Sequence, residues 1–160
     1  MTSDYTRGEE ILRRTLLFSD LDDDEIAAVL LLGQTKTYAT GATIFVEGSD
    51  ADRFYIIYEG SVRISKVVEG AGEEALAILN AGDFFGEMAL IEQTPRSAHA
   101  FAHTNLRLLE IPIPSMLQLL DSDKILACKF LWRFCRTLSS RLRDTSSKIS
   151  SLLMISSQFR

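Results

Sequence analysis

The sequence predicts a mainly β protein with helices at both ends, and three observations lead to this fold class. Between Gln34 and Pro112, short runs rich in β-branched and aromatic residues are separated by glycines, which is typical of an antiparallel sandwich or barrel. The first 33 residues, and those after Pro114, place apolar residues at helical spacing instead. We therefore expect a β domain with N-terminal helices over residues 1–122 and a long C-terminal helix over residues 123–160.

The composition excludes several classes of protein. The 160 residues are 46% hydrophobic and 24% charged, which is the balance of a globular domain and not that of a disordered chain. No apolar run approaches the roughly 18 residues of a membrane span, and the N-terminus lacks a signal-peptide pattern. Two cysteines make neither a metal cluster nor a secreted disulfide framework. We expect a cytoplasmic protein that uses no metal and does not enter membranes.

Two helices are predicted before the β region. The first covers Glu9–Leu17, and Ser19 or Asp20 is expected to cap the second. Acidic residues at 22–25 then occupy its first turn, where the helix dipole favours negative charge. Gly33 follows the last apolar residue of the helical pattern and is expected to end this helix.

Seven strands are predicted in the β region. A hairpin loop is expected at 68–73, and 84–92 contains a single helical turn that interrupts the strands. The strands are Thr35–Ala39, Thr43–Glu47, Phe54–Tyr58, Ser61–Val67, Glu74–Leu79, Ala98–Ala102 and Arg107–Ile111.

The C-terminal helix carries a heptad-like apolar seam. After a short helix at Ser115–Leu120, Asp123 can cap a helix that extends to about Ser156. Steps of three and four residues alternate along it, which is the spacing of a two-stranded coiled coil, so we expect a parallel homodimer. The apolar face widens near its start, at Phe130, Trp132 and Phe134, and this end is expected to pack on the β body. The seam residues are Cys128, Leu131, Cys135, Leu138, Leu142, Thr145, Ile149, Leu152 and Ser156.

Charge is distributed unevenly along the chain. Residues 124–160 hold eight Lys or Arg and one acidic residue, whereas residues 1–123 hold nine basic and 21 acidic residues. A basic segment of this kind fits either a nucleic-acid-facing tail or, as we prefer, the solvated polar face of a helix. The acidic body disfavours non-specific DNA binding by the whole chain.

The segment Phe85–Ala98 holds a candidate anion site. Gly86 permits a tight turn and a close approach of the backbone to a ligand, before a helical turn whose first amides are free to bind an anion. Arg96, expected on the next strand, can make paired hydrogen bonds to a phosphate, and Ser97 adds a hydroxyl. The Glu87 carboxylate can accept from a ribose hydroxyl. Together these residues indicate a site for a sugar phosphate with one negative charge.

These residues carry a family resemblance. The stretch Phe84–Ala98 closely resembles the phosphate-binding cassette of cyclic nucleotide-binding domains, and 17–21, 41–48 and 54–62 resemble the family's entry helix, early strands and turns. The last helix, around 141–148, is similar to the dimer helix of the cAMP receptor protein family. The resemblance covers about residues 15–155 and implies an antiparallel, jelly-roll-like β-roll with a long C-terminal dimerisation helix.

The resemblance also assigns roles to individual residues. Glu87 would hold the ribose 2′-hydroxyl, and Arg96 and Ser97 would hold the cyclic phosphate. Thr145 and Ser146 would contact the base, with Ser146 donated across the dimer. The remaining candidates are Gly86, Met88 and Ala89 for backbone contacts, Ala98 at the end of the cassette, Arg141 near Glu87, and Val62 and Ile64 as an apolar wall.

A cyclic nucleotide sensor that is not an enzyme is therefore expected. The Thr145–Ser146 pair favours cAMP, while Ser97 leaves cGMP open as a ligand. The chain ends at Arg160, so we expect no helix-turn-helix in it; it is either a stand-alone sensor or the sensor part of a longer DNA-binding regulator. The alternative from another class is a dimeric interaction module whose pocket takes a different ligand or none. His99 and His103 are expected to be structural or exposed.

Overall fold

The computed structural model describes the backbone of residues 2–158 and, within it, the side chains of residues 8–151 and 154. The helices are α1 (Thr2–Arg14), a 3₁₀ helix (Leu16–Phe18), α2 (Asp23–Leu32), α3 (Met88–Glu92), α4 (Ile113–Ser122) and α5 (Lys124–Gln158). The strands are β1 (Gln34–Tyr38), β2 (Thr43–Phe45), β3 (Arg53–Glu59), β4 (Ser61–Val68), β5 (Gly72–Asn80), β6 (Phe84–Phe85), β7 (His99–Ala102) and β8 (Leu106–Pro112).

The strands form two four-stranded antiparallel sheets, in the orders β1-β8-β3-β6 and β2-β7-β4-β5. Strand β3 shows how they pack, because its side chains alternate between two cores. Tyr55 and Ile57 enter the core between the sheets, and Phe54 and Ile56 enter a second core under the helices. The predicted β-roll with flanking helices is confirmed.

The N-terminal helices differ from the prediction at their boundaries. α1 covers Thr2–Arg14 and a separate 3₁₀ turn follows it, where a single helix was predicted. The α2 cap is Asp22, not Ser19 or Asp20, because Asp22 and Glu25 form a reciprocal capping box. Gly33 ends α2 as predicted.

The β region contains one strand that was not predicted. Phe84–Phe85 pairs with Tyr55 and Ile56 of β3, within a segment where the sequence predicts only a helical turn. The turn itself is confirmed as α3, which begins at Met88. The two-residue strand is too short to leave an alternating pattern in the sequence.

Helix α5 begins where predicted. The Asp123 carboxylate accepts hydrogen bonds from the amides of Ile125 and Leu126, at 3.0 and 2.9 Å. Phe130 and Phe134 are buried one turn apart against the N-terminal helices, but Trp132 is 63% exposed, so the expectation that it packs on the body is wrong. Two residues from Phe130 is more than half a turn of helix, which points Trp132 away from that core. Within residues 2–158, none of the helices is both long and apolar enough to cross a membrane.

Candidate functional site

A cavity of about 550 Å³ lies where β4 and β5, the segment 85–98 and helix α5 meet. Most of the predicted site residues line it, and one face of α5 contributes to its wall. The lining residues are Phe45, Ile64, Lys66, Leu76, Ala77, Leu79, Phe85, Gly86, Glu87, Met88, Ala89, Pro95, Arg96, Ser97, Ala98, Arg141, Asp144, Thr145 and Lys148.

Gly86 makes the tight turn between β6 and α3. Its φ of +75° lies in the left-handed region that favours glycine. A Cβ at this position would lie 2.7 Å from Nη1 of Arg96. Gly86 therefore permits both the backbone turn and the close approach of the Arg96 side chain to that backbone.

Arg96 is a buried cation that makes no ion pair with a carboxylate of the described residues. It lies in the loop before β7, not on the strand as expected, and it is 5% exposed. Its Nη2 donates to the carbonyl oxygen of Arg53 at 2.7 Å, and its Nη1 makes a longer contact of 3.4 Å to the carbonyl of Gly86. The guanidinium lies over the ring of Phe45, 4.2 Å from its centroid, which is a cation–π arrangement.

The charge and one donor of Arg96 remain unsatisfied. Its Nε is buried without a hydrogen-bond partner, and no carboxylate of the described residues lies within ion-pairing distance of the guanidinium. Burial lowers the pKa of Arg96 from its ordinary value, because desolvation disfavours the charged form. A buried guanidinium with spare donors is a site for a ligand anion.

Glu87 is also buried, but it has a cationic partner. It is 4% exposed, and Arg141 of α5 donates to its Oε1 while also donating to the carbonyl of Phe84 at 2.8 Å. Burial raises the pKa of Glu87, and the charge of Arg141 opposes that shift. The expected approach of Arg141 to Glu87 is thus present, and it connects the cavity to the C-terminal helix.

The structure brings most of the other predicted residues together and separates two of them. Met88, Ala89, Ser97, Ala98, Ile64 and Thr145 all line the cavity. Val62 does not: it is completely buried in the core between the sheets, so its assignment to the cavity wall is corrected. Ser146 is exposed on α5 and does not line this chain's own cavity, while its expected role concerns the cavity of a second chain.

Sequence reasoning missed several lining residues. On α5, Asp144 and Lys148 join Arg141 and Thr145 at steps of three and four residues. That spacing places four side chains on one helix face. Asp144 and Lys148 could therefore have been predicted as lining residues from the choice of Arg141 and Thr145. The apolar wall from β5, formed by Leu76, Ala77 and Leu79, depends on the pairing of β4 with β5 and leaves no local signal.

The family follows from the comparisons. The chain belongs to the cyclic nucleotide-binding domain family, whose model matches residues 35–123. It is a member of the branch that resembles the cAMP receptor protein. It is 29% identical over 145 residues to a protein of Mycobacterium tuberculosis described as a CRP-like cAMP-activated global transcriptional regulator; the match covers 91% of this chain and 63% of that protein. The chain thus spans somewhat less than two thirds of this relative.

Two further relatives carry names that mention a different activity or a different ligand. A protein named glutaminase 2, of Bradyrhizobium diazoefficiens, is 34% identical over 136 residues, which is 85% of this chain but 21% of that protein. A solved structure titled as the c-di-GMP responsive global regulator CLP of Xanthomonas campestris is 31% identical, with a TM-score of 0.71, over 81% of this chain and 63% of that one.

Another solved structure matches the fold over almost the whole chain. The crystal structure of a cyclic nucleotide-binding domain from Methylobacillus flagellatus has a TM-score of 0.81 and 26% identity, covering 92% of this chain and 83% of that one. Among the described residues, no three His, Cys, Asp or Glu side chains are grouped closely enough to hold a metal ion.

Proposed function

We propose that this protein binds a cyclic mononucleotide, cAMP before cGMP, as a sensor and not as an enzyme. The observation that carries the proposal is the Arg96 guanidinium: it is buried at the cavity, forms no ion pair within the described part of the chain and has a spare Nε donor. The Glu87 carboxylate lines the same cavity and can accept from a ribose hydroxyl. A cyclised ribose phosphate presents both complementary groups on one small molecule.

The balance of charge around the cavity favours a ligand with one negative charge. Glu87 is paired with Arg141, and Lys66 is paired with Glu47 at 3.2 Å. Asp144 and Lys148 on α5 contribute one charge of each sign. One positive charge, that of Arg96, is left to be balanced. A cyclic mononucleotide supplies a single phosphate charge, whereas a cyclic dinucleotide such as c-di-GMP supplies two.

Helix α5 supplies the contact we propose for the base. Thr145 lines the cavity and its hydroxyl donates to the carbonyl of Arg141 at 2.9 Å, which leaves its oxygen able to accept from a base. The exocyclic amines of adenine and guanine are both donors of this kind, so Thr145 can serve either purine. The name of the mycobacterial relative, a cAMP-activated regulator, supports cAMP as the preferred ligand.

Isothermal titration calorimetry with cAMP, cGMP and c-di-GMP tests the proposal. We expect the tightest binding for cAMP, weaker binding for cGMP, and a stoichiometry of one ligand per chain. Tighter binding of c-di-GMP than of cAMP and cGMP would show that the ligand is a cyclic dinucleotide and not a mononucleotide. Absence of heat with all three ligands at high micromolar concentration would favour an interaction module over a sensor.

We also propose that two chains pair in parallel through α5, forming a helical unit over 123–160 beside the ligand-binding body over 1–122. Four apolar seam residues are exposed in the single chain: Leu131 by 44%, Leu138 by 39%, Leu142 by 68% and Ile149 by 53%. Leu152 and Ser156 of the predicted seam lie outside the described side chains. Pairing would bury the apolar stripe and place Ser146, beside the seam, near the partner's cavity.

Sedimentation velocity tests the pairing. We expect a dimer at micromolar concentration, and a monomer after the double change Leu138→Glu and Leu142→Glu, because charge at the seam opposes coiled-coil packing. Leu31→Glu is the matched control, since Leu31 is 80% exposed on α2, away from the seam. A wild-type protein that sediments as a monomer would contradict the pairing.

In the proposed dimer, ligand binding biases the position of α5 through Arg141 and Thr145. The position of α5 in turn regulates an output domain or a partner.

A further inference from the structure

A buried carboxylate lies close to the site without lining the cavity. Glu110 of β8 is 5% exposed at one end of the core between the sheets. It accepts a hydrogen bond from the hydroxyl of Tyr38 and an ion pair from Nη1 of Arg53, at 2.8 Å. Arg53 and Glu110 are diagonal neighbours on one sheet face, since Glu110 lies opposite Tyr55 in the register of β3 with β8.

Arg53 connects this carboxylate to the phosphate-binding arginine. Its side chain is held by Glu110 and by the neighbouring Asp52, while its backbone carbonyl accepts from Nη2 of Arg96 at 2.7 Å. Strand β6 pairs with β3 only at Tyr55 and Ile56, so the carbonyl of Arg53 lies beyond that ladder. Strand β6 therefore makes no ladder hydrogen bond to the Arg53 carbonyl, which is available to the Arg96 guanidinium.

Of the two carbonyls that accept from Arg96, that of Arg53 makes the shorter hydrogen bond, at 2.7 Å against 3.4 Å for the carbonyl of Gly86. The aromatic face of Phe45 supports the guanidinium but does not fix its rotation in the plane of the ring. The direction in which the remaining N–H groups point therefore depends on where the start of β3 is held. The pairing of β3 with β8 holds its backbone, and the ion pair of Arg53 with Glu110 adds a side-chain link between the same two strands.

We propose that Glu110 is a positioning residue for ligand binding: through Arg53 it fixes the carbonyl that orients the Arg96 guanidinium toward the ligand phosphate. The inference rests on the proposed function, because it presumes that Arg96 binds a phosphate. Neither Glu110 nor the Arg53 side chain touches the ligand. Their effect passes through one backbone carbonyl and is specific to the phosphate end of the cavity.

A double-mutant cycle with cAMP tests the proposal. We expect Glu110→Gln to weaken cAMP binding by about fivefold in the wild-type background, and by less than about twofold in the Arg96→Lys background, where the planar fork is absent. Arg53→Gln removes the same ion pair from its more exposed side. If Glu110→Gln does not fold, Arg53→Gln takes its place in the cycle, and we expect the same changes in affinity. Glu25→Gln is the matched control: Glu25 is a buried carboxylate on α2, paired with Lys129 at 2.6 Å, and its loss should leave the affinity unchanged.

The outcomes distinguish a failure of the positioning role from a failure of the proposed function. Equal losses in both backgrounds would show that Glu110 acts through the fold alone and would overturn the positioning role. An unchanged affinity in Glu110→Gln or Arg53→Gln would overturn it as well. A wild-type protein that binds no cyclic nucleotide would instead overturn the proposed function, and the positioning role with it.

Discussion

The two ends of the cavity satisfy their buried charges in different ways. At the end proposed for the phosphate, called the phosphate end below, Arg96 is anchored by backbone carbonyls and an aromatic ring and has no acidic partner among the described residues. At the end proposed for the ribose, called the ribose end below, Glu87 is equally buried but is paired with Arg141 from helix α5. Both groups lose solvent on folding, yet only one of them recovers a counter-charge from the protein.

This difference assigns separate tasks to the two ends. An unpaired buried cation gains most from a ligand that supplies the missing charge, so affinity should depend mainly on Arg96. A carboxylate already paired with an arginine of α5 gains less, but any ligand that contacts it must share it with that helix. The phosphate end should therefore determine how tightly the ligand binds, and the ribose end should report occupancy to the helix.

The largest expected effect is at the phosphate end. Arg96→Ala should weaken cAMP binding by at least about 100-fold, because it removes paired, charge-assisted hydrogen bonds. Calorimetry measures the change. Arg63→Ala is the matched control: Arg63 also lies over an aromatic ring and pairs with Glu73 at 3.0 Å, but it does not line the cavity. A loss of similar size in both variants would indicate a general effect of removing an arginine that packs on an aromatic ring.

A smaller effect is expected at the ribose end. Glu87→Gln should weaken cAMP binding by about tenfold, since the amide keeps an acceptor but loses the charge that strengthens the bond. The same experiment with 2′-deoxy-cAMP makes the comparison sharper. The wild-type protein should prefer cAMP over the deoxy analogue, and the variant should lose most of that preference. An undiminished preference in Glu87→Gln would remove the ribose role from Glu87.

The smallest expected effect is on stability without ligand. Burial raises the pKa of Glu87, so the folded state binds its proton more tightly than the unfolded state does. The free energy of unfolding of the wild-type protein, relative to that of Glu87→Gln, should therefore fall as the pH rises above the ordinary carboxyl value of 4.5. Urea titrations between pH 4 and pH 7 measure the difference. A relative stability that rises with pH would contradict this prediction, because it would mean that the charge of Arg141 lowers the pKa of Glu87 by more than burial raises it.

Much of the fold and of the site was predictable, because local chemistry determines it. Gly86, Glu87 and Arg96 lie within one short segment whose residue types match their contacts in the structure. The cap of α2 was misplaced because several neighbouring residues can cap a helix, and only the reciprocal bonds of Asp22 with Glu25 decide among them. Val62 was misplaced because it shares a strand face with Ile64, and only the depth of the sandwich separates them.

What the sequence could not predict depends on long-range packing. The wall from β5 follows from its register with β4, which shifts between Ile64 and Ser65. The position of Glu110 behind Arg53 follows from the pairing of β3 with β8, across more than fifty residues of chain. Neither arrangement leaves a signal in the spacing of neighbouring residues.

The central claim is that the unpaired guanidinium of Arg96 receives the ligand phosphate. The Nε–Hε group of Arg96 tests it most directly, because it is buried without a partner in the structure. In a ¹H–¹⁵N spectrum of arginine side chains, assigned with the Arg96→Lys variant, saturating cAMP should move the Arg96 Hε resonance downfield as it gains a charged acceptor. An unmoved Arg96 resonance, in a sample whose other signals show that cAMP is bound, would contradict the account.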